Sequence, residues 1–261
     1  MKAIILAAGM GSRLGKYTQN LPKGMLEFNG KSLIQRQIET LKKVGISDIS
    51  IVTGYRAEKI NYEGIKYYHS ELYSSTNMVE SLFCAEKELT EDVLVCYSDI
   101  IYDSSIIEKI SFSNVDIGVT VDNDYWEYWS KRLDNPLDDI ESMIIEDNKI
   151  IELGREGCSR EDALYRYVGL IKFSKKGVDI LKEVYYKNKE LYYDKNEKWL
   201  DSKSFKQAYL TSIIQAIINQ GYEVNPIVIS RGWMEFDNVK DYERANNWLK
   251  TGEIKKFKNQ I

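Results

Sequence analysis

The sequence is poor in the residues that build several common kinds of site. Its 261 residues include one histidine, His69, which excludes a histidine dyad and a multi-histidine metal site. Three cysteines, odd in number and widely spaced, argue against a disulfide framework and predict reduced thiols in a cytoplasmic protein. A formal net charge of −4 gives no basic excess for nucleic acid or an anionic membrane surface. No apolar run reaches the roughly 18 residues that would predict insertion into a membrane.

What the first half does contain is an alternation of short apolar runs and amphipathic segments. The predicted strands are residues 3–8, 49–52, 67–69 and 92–97, and the predicted helices are residues 32–44 and 77–88, the latter capped by Thr76. Such alternation is typical of an α/β fold in which a parallel sheet carries helices on both faces. Ligands of these sheets bind beyond the carboxyl ends of the strands.

The second half is less regular and predicts a mixed, mostly parallel sheet with an inserted lid and hairpin. Residues 122–165 form the predicted insertion, with a hairpin of residues 143–145 and 149–152. Further strands are predicted at 167–173 and 224–229, and helices at 176–206 (interrupted by an excursion), 208–220 and 241–250. Residues 1–250 are enough for one Rossmann-like domain, and residues 251–261 form a charged tail that we expect to be solvated.

The loop that closes the first predicted strand combines glycine, serine and basic residues. Glycines allow backbone N–H groups to approach a ligand closely, and arginine and lysine suit phosphate oxygens. The basic residues are Arg13 and Lys23, the second of which follows Pro22. We therefore predict that this loop binds a nucleoside triphosphate. The residues expected to contact it are Leu6, Ala7, Ala8, Gly9, Gly11 and Ser12.

Three kinds of phosphate-binding loop compete for this stretch. A Walker A loop needs Lys-Ser or Lys-Thr after its last glycine, and the sequence has neither there. A dinucleotide fingerprint needs a third glycine where Leu14 stands, and an acidic residue where Thr53 and Gly54 follow the second strand. The pattern Gly-x-Gly-Ser-Arg, followed about ten residues later by Pro-Lys, instead resembles the signature of the sugar-nucleotide-type nucleotidyltransferases, or pyrophosphorylases.

Nucleotidyl transfer makes few covalent demands on a protein. An acceptor phosphate is already an anion at neutral pH and attacks the α-phosphorus of a triphosphate directly, so the protein supplies cations and in-line positioning. Mg²⁺ on oxygen ligands fits this need. Asp99 and Asp237 each follow a predicted strand, but 138 residues separate them (237 − 99), and this spacing does not show that they meet.

The resemblance assigns roles to residues that match the family motifs. It implies that Asp99 and Asp237 hold Mg²⁺. It also implies that Arg13 binds the β- and γ-phosphates and that Lys23 neutralises charge at the α-phosphate. Glu235 would point to the same side as Asp237 in an extended segment, and it is an alternative ligand or a supporting partner.

Three further segments resemble the CTP-dependent branch of this family, which includes phosphocholine cytidylyltransferases and relatives acting on phosphonates. They are residues 76–78, 135–142 and 233–238. The resemblance implies that the substrates are CTP and a small phosphorylated or phosphonate acceptor. It also places Asn77 and Ser81 near the base.

Two alternatives stay open at this point. A sugar-1-phosphate nucleotidyltransferase would use UTP or dTTP, but sugar-type relatives tend to carry Glu-Lys-Pro where this chain has Leu153-Gly154-Arg155. A catalytically silent nucleotide sensor could share the fold, but it would not need both metal aspartates.

A cluster of aromatic residues in the insertion is the clue to the acceptor. Tyr125, Trp126 and Trp129 lie near acidic residues, and such rings attract quaternary ammonium and other cations. The sequence thus predicts an acceptor whose cationic or amino group these rings bind, while Arg132 or Arg155 holds its phosphate. The alternative is that the rings pack the insertion onto the core, or onto a second copy of the chain in a homodimer.

Overall fold

The computed structural model describes residues 1–258 of the chain. Its strands are β1 (Lys2–Ala7), β2 (Glu27–Phe28), β3 (Lys31–Ser32), β4 (Ile49–Thr53), β5 (Lys66–His69), β6 (Val93–Tyr97), β7 (Ile100–Tyr102), β8 (Ile117–Asp122), β9 (Glu141–Glu146), β10 (Lys149–Glu156), β11 (Arg166–Phe173), β12 (Asn225–Ile229) and β13 (Trp233–Glu235). Its α-helices are α1 (Leu33–Lys43), α2 (Met78–Cys84), α3 (Ser104–Phe112), α4 (Trp126–Arg132), α5 (Lys175–Tyr192), α6 (Leu210–Asn219) and α7 (Val239–Thr251).

Seven of the strands form one central sheet in the order β12-β8-β11-β6-β1-β4-β5. Neighbouring strands are parallel except at β11, which runs antiparallel to β6 and β8. Alternate residues of β1 enter two hydrophobic cores, Ala3 and Ile5 on one face and Ile4 and Leu6 on the other. Burial on both faces is what a helix-covered sheet of this kind requires. The predicted mixed, mostly parallel α/β fold is confirmed.

The sheet brings the glycine loop and Asp99 to the same edge. Leu6 of β1 pairs with Tyr97 of β6, so the two strands end side by side. A small antiparallel pair, β7 and β13, then places Glu235 opposite Ile100. Beyond it, the N–H of Phe236 donates to the carbonyl oxygen of Asp99 at 3.0 Å. This pairing brings together two segments that lie far apart in the sequence.

Helix α2 is shorter than predicted and has a different cap. The side chain of Asn77 accepts a hydrogen bond from the N–H of Met78 at 2.9 Å, so Asn77 rather than Thr76 begins the helix. Asparagine serves well in this position because its carbonyl satisfies an otherwise unpaired N–H. The helix ends at Cys84, and a separate 3₁₀ turn covers Glu86–Glu88.

Helix α5 ends at Tyr192 rather than continuing to residue 206. After it, Trp199 and Ser202 exchange two backbone hydrogen bonds of 3.0 Å around a two-residue turn. Leu200 in that turn has a φ of 49°, a left-handed conformation that closes it tightly. The excursion that the sequence predicted is therefore a stretch without α-helix between α5 and α6, in which Phe205–Gln207 form a 3₁₀ turn.

The insertion consists of α4 and a hairpin. Strands β9 and β10 pair antiparallel, as predicted, and are longer than the sequence indicated. Their turn places Asp147 and Asn148 at φ values of 46° and 60°, which these two residue types tolerate better than most. Helix α4 buries Tyr128, Trp129 and Arg132 against the body of the protein.

The charged segment after α7 is packed rather than solvated. Gly252 turns the chain with a φ of 76°, and Ile254, Phe257 and Lys258 are buried. The Nζ of Lys258 pairs with Asp103 at 2.5 Å. Residues 259–261 of the predicted tail lie outside the described residues. Within residues 1–258, no helix is both long enough and apolar enough to cross a membrane.

Candidate active site

A cavity of about 460 Å³ opens where the glycine loop and the turn after β6 leave the sheet. This volume is ordinary for a small-molecule site. Its described lining comes from the glycine loop, the start of α2, the turn after β6, the β9–β10 hairpin, the beginning of β11, the stretch before α6 and the turn after β13. The location agrees with the expectation that ligands bind beyond the carboxyl ends of the strands.

The glycine loop is held by two hydrogen bonds to one of its own carbonyl groups. The carbonyl oxygen of Gly11 accepts from the N–H of Leu14 at 2.9 Å and from the hydroxyl of Thr18 at 2.8 Å. Gly11 has a φ of 64°, and a Cβ there would lie 2.8 Å from the Cβ of Lys23, so the packing requires glycine. The predicted nucleotide contacts that line the cavity are Leu6, Ala8, Gly9, Gly11, Ser12, Asn77 and Ser81. Ala7 does not, because its side chain lies in the core.

Two residues near the start of α2, one helical turn apart, line the cavity. Asn77 and Ser81 are four residues apart and so share one face of the helix. The amide of Asn77 is already engaged, since its oxygen accepts from Met78 and its nitrogen donates to the carbonyl of Gln207 at 3.4 Å. Ser81 is buried and lines the cavity.

Lys23 lies between Asp99 and Asp237. Its Nζ is 2.5 Å from Oδ2 of Asp99 and 2.6 Å from Oδ1 of Asp237. The backbone beside it passes close to the turn after β6, since a Cβ at Gly24 would lie 3.0 Å from the Cβ of Ser98. Burial alone would lower the pKa of Lys23, but the two carboxylates outweigh it and raise the pKa above its ordinary value. The structure thus places Lys23 in contact with both Asp99 and Asp237, whereas the sequence motifs identified each of the three residues separately.

Asp237 is contacted by three cations. Besides Lys23, Nη2 of Arg13 lies 3.1 Å from its Oδ1 and Nη2 of Arg132 lies 3.1 Å from its Oδ2. Burial would raise the pKa of Asp237, but these cations hold it well below its usual range, so the carboxylate is ionised. Arg13 is 71% exposed and remains at the mouth of the cavity.

The carboxylates of this region are a chemically suitable set for Mg²⁺. Asp139, Glu235 and Asp237 each offer an oxygen within 4.8 Å of the others. Among the described residues, Oδ1 of Asp99 is buried and has no hydrogen-bond partner, so it retains an acceptor that a ligand could use. Hard divalent cations prefer such all-oxygen donors. Asp139 was not predicted, and the one sequence signal for it was its place in the segment 135–142 that resembles the CTP-dependent branch.

The three aromatic residues predicted to form a cage are absent from the described lining of the cavity. Tyr125 and Trp129 are 1% and 0% exposed. The hydroxyl of Tyr125 donates to the carbonyl of Ala163 at 2.5 Å, and Nε1 of Trp129 donates to the carbonyl of Asp139 at 2.8 Å. Trp126 is half-buried, with its ring centroid 6.0 Å from that of Tyr125. This arrangement corresponds to the alternative in which the rings pack the insertion onto the core.

The two arginines predicted to bind the acceptor phosphate also lie outside the described lining. Arg132 is buried among carboxylates. Arg155 is half-exposed and pairs with Glu152 at 2.9 Å and Asp162 at 3.0 Å. Arg166, at the start of β11, does line the cavity and was missed, because one arginine at a strand end carries no signal in the sequence.

Two tyrosines and a hairpin residue that the sequence did not nominate complete the lining of the cavity. The rings of Tyr97 and Tyr167 meet edge to face, with centroids 5.6 Å apart. Burial raises the pKa of both phenols well above the ordinary value, so both are neutral. Gly169 has a φ of 83°, and a Cβ there would lie 2.9 Å from the ring of Tyr97. The carboxyl group of Glu141 lies nearby in the same lining, and burial raises its pKa although Arg166 opposes this.

A profile of the MobA-like NTP transferase domain matches residues 3–137, just over half of the chain. The chain belongs to this family. The CTP:phosphoglutamine cytidylyltransferase of Campylobacter jejuni subsp. jejuni is 34% identical to this transferase over 256 residues, which is 93% of this chain and 98% of that protein. The choline-phosphate cytidylyltransferase of Streptococcus pneumoniae is 41% identical over 99 residues, or 36% of this chain and 43% of that protein. The predicted resemblance to nucleotidyltransferases is confirmed.

Solved structures show how widely this transferase shares its fold. The CTP:phosphocholine cytidylyltransferase from Streptococcus pneumoniae superposes with a TM-score of 0.69 at 23% identity, covering 95% of this chain and 98% of that one. The inositol-1-phosphate CTP transferase from T. maritima gives a TM-score of 0.70 at 21% identity, covering 96% of each chain. At these identities the likeness is one of fold, and it extends over nearly all of the transferase.

Proposed function

We propose that this MobA-like transferase moves a cytidylyl group from CTP to a small phosphorylated acceptor that also carries a positive charge, and releases pyrophosphate. The observation that carries the proposal is the position of Lys23, which joins Asp99 and Asp237 beside the glycine loop within one cavity. Relatives named for cytidylyl transfer to phosphoglutamine and to choline phosphate support CTP as the nucleotide.

The reaction requires two anions to meet in line. An oxygen of the acceptor phosphate attacks the α-phosphorus of CTP, a new P–O bond forms, and the bond to the β-phosphate breaks. The acceptor phosphate is largely ionised at neutral pH, so no side chain has to remove a proton. Arg13 and Lys23 are the phosphate contacts in this proposal. A divalent cation, when bound by Asp99 and Asp237, supplies further positive charge beside the reacting phosphates.

The charges of the cavity favour an acceptor with a cationic group. The described lining contains three basic residues, Arg13, Lys23 and Arg166. It also contains seven acidic residues, Asp99, Asp139, Glu141, Glu156, Asp201, Glu235 and Asp237. A divalent cation, when bound, would use some of these carboxylates, but the hairpin side would remain acidic. An ammonium group there would be attracted, whereas a second anionic group would be repelled.

Arg166 is our choice for the acceptor phosphate. Its side chain is 10% exposed, and its Nε has no hydrogen-bond partner within the described residues. Nη1 donates to the carbonyl of Asp139 at 3.1 Å, which fixes the guanidinium beside the carboxylates. Its position lets one arginine bind the phosphate while Glu141 and the ring of Tyr167 face the rest of the acceptor.

The test is pyrophosphate release with CTP, UTP, dTTP and GTP, each crossed with three acceptors. Phosphocholine carries a cationic group and no carboxylate, a phosphorylated glutamine carries an ammonium and a carboxylate, and glucose 1-phosphate carries neither. We expect release with CTP and an ammonium-bearing acceptor, and little with the sugar phosphate. Equal or faster release with UTP or dTTP and glucose 1-phosphate would favour a sugar nucleotidyltransferase. Binding of CTP without release for any acceptor would favour a nucleotide sensor.

A further inference from the structure

Arg132 is the centre of a buried cluster of carboxylates behind the cavity. Its side chain is 2% exposed. Nη1 contacts Glu235 directly, and Nη2 lies 3.1 Å from Asp237 and 2.8 Å from Asp241. Asp139 is 3.9 Å from Nη1. One guanidinium therefore contacts Glu235 and Asp237 of this carboxylate set, contacts Asp241 behind them, and has Asp139 nearby.

The surroundings hold this guanidinium in one place. It lies 4.3 Å from the ring centroid of Trp129, whose Nε1 is fixed by the carbonyl of Asp139. The hydroxyl of Tyr128, on the same helix, accepts from the N–H of Glu235 at 3.1 Å. Helix α4 thus fixes both the backbone and the side chain of Glu235. One ring of the aromatic cluster that the sequence offered as an acceptor cage, that of Trp129, therefore lies against this arginine.

The acids need such a partner because like charges at this spacing repel one another. Asp241 also accepts from the backbone N–H groups of Asp237 and Asn238, at 3.0 and 3.2 Å, so it orients the turn that carries Asp237. Arg132 joins this turn to Glu235 on β13. Partners that orient ligands from behind are a general requirement of metal sites.

We propose that Arg132 is a positioning residue, which holds Glu235 and Asp237 in place for a divalent cation and does not contact the acceptor phosphate. This inference rests on the proposed function. Arg132 is absent from the described lining of the cavity, whereas Glu235 and Asp237 belong to it, so the arginine acts through these two carboxylates. It neutralises them from the buried side, through Oε1 of Glu235 and Oδ2 of Asp237.

The test compares Arg132→Met and Arg132→Lys with Lys131→Met as a matched control. Lys131 is the preceding residue of α4, but it pairs with Glu253 on the outer side. Mn²⁺ binding is measured by electron paramagnetic resonance in the absence of acceptor, once with CTP and once without it. In separate assays, kcat and the KM values for CTP and for the acceptor are measured. We expect Arg132→Met to weaken Mn²⁺ binding and to lower kcat, each by about 10- to 100-fold. The acceptor KM should stay within about threefold, Arg132→Lys should recover part of the loss, and Lys131→Met should match the wild type.

Two results would overturn this role. A folded Arg132→Met protein with normal Mn²⁺ binding and a raised acceptor KM would make Arg132 a phosphate contact. Normal values throughout would leave it without a role in the site. If Arg132→Met does not fold, the double variant with Asp241→Asn removes the buried excess of negative charge, and it is compared with Asp241→Asn alone. Because Mn²⁺ binding needs no turnover, a failure of the proposed CTP reaction in the wild type is distinguishable from a failure of this inference.

Discussion

The two sides of the cavity are built in different ways. The phosphate side comes mainly from one continuous stretch, residues 6–13, which includes two glycines that line the cavity. The acidic side comes from segments that are far apart in the chain, with Asp99 after β6, Asp139 after α4 and Asp237 after β13. The first is a local conformation of the backbone. The second exists only when the whole sheet, the insertion and the β7–β13 pair have formed.

This difference determines how far the effect of a substitution should extend on each side. On the phosphate side the limiting factor is space, because a Cβ at Gly11 would meet Lys23 at 2.8 Å. On the acidic side the limiting factor is charge, because Asp237 forms ion pairs with Lys23, Arg13 and Arg132. Loss of one carboxylate therefore disturbs several cations, whereas an added methyl group disturbs one loop.

The largest effect should follow Asp237→Asn. The substitution preserves the shape of the side chain but removes the charge that a hard cation needs. We expect kcat to fall at least about a hundredfold at saturating Mg²⁺, because the cation that this carboxylate would hold stabilises the transition state by several kcal/mol. The measurement is steady-state pyrophosphate release, with circular dichroism as a check of the fold.

The matched control is Asp179→Asn, an exposed carboxylate on α5, which should leave turnover unchanged. Near-normal activity of Asp237→Asn would contradict the proposed role. In that event Glu235 would be substituted next, since it lies in the same carboxylate set.

A smaller effect, and one on binding rather than turnover, should follow Arg166→Met. A charged hydrogen bond of this kind contributes roughly 1.5–3 kcal/mol, so the acceptor KM should rise about 10- to 100-fold. Arg155→Met is the matched control, because Arg155 pairs with Glu152 and Asp162 outside the described lining. If Arg155→Met raised the acceptor KM and Arg166→Met did not, the phosphate site would be the one expected from the sequence.

On the phosphate side, Gly11→Ala and Gly9→Ala form a pair that separates space from sequence position. Gly11 has a φ of 64° and no room for a Cβ, whereas no described residue other than the two chain neighbours lies within 4 Å of a Cβ at Gly9. We expect Gly11→Ala to displace Lys23 and lower kcat about tenfold, since small misplacements of a reacting group are costly. Gly9→Ala should have a smaller effect on kcat, and equal losses in both variants would show that the contact with Lys23 is not what matters.

The sequence predicted most of the sheet because each strand is a local signal. The runs 3–8, 49–52 and 92–97 are apolar, short and ended by turn residues, and they correspond to β1, β4 and β6. Helix boundaries were less certain. Asn77 displaced Thr76 as the cap of α2, because its side chain could reach both Met78 and the chain at Gln207.

The candidate site was predictable where family motifs are contiguous and obscure where they are not. Arg13, Lys23, Asp99 and Asp237 were named from their motifs, and the structure places them together. Arg166 could not be named, because its position depends on the antiparallel strand β11 entering an otherwise parallel sheet. The aromatic residues of the insertion were ambiguous for a different reason. Aromatic rings beside acidic residues are expected both in a cation-binding site and in a buried packing surface for an arginine.

The smallest effect on activity should therefore come from Trp126→Ala. Trp126 is half-buried beside Tyr125, and the guanidinium of Arg160 lies 4.1 Å from its ring centroid, so that face is already covered by a cation of the chain. With no place in the described lining of the cavity, its loss should change the acceptor KM by less than about twofold. Trp129→Ala is the comparison, since removing this fully buried ring should cost about 3–5 kcal/mol of the free energy of unfolding. Both are measured by urea denaturation and by acceptor titration. A thirtyfold rise in the acceptor KM of a stable Trp126→Ala protein would instead support the aromatic cage. Acceptor specificity would then depend more on these rings than on the acidic side of the cavity.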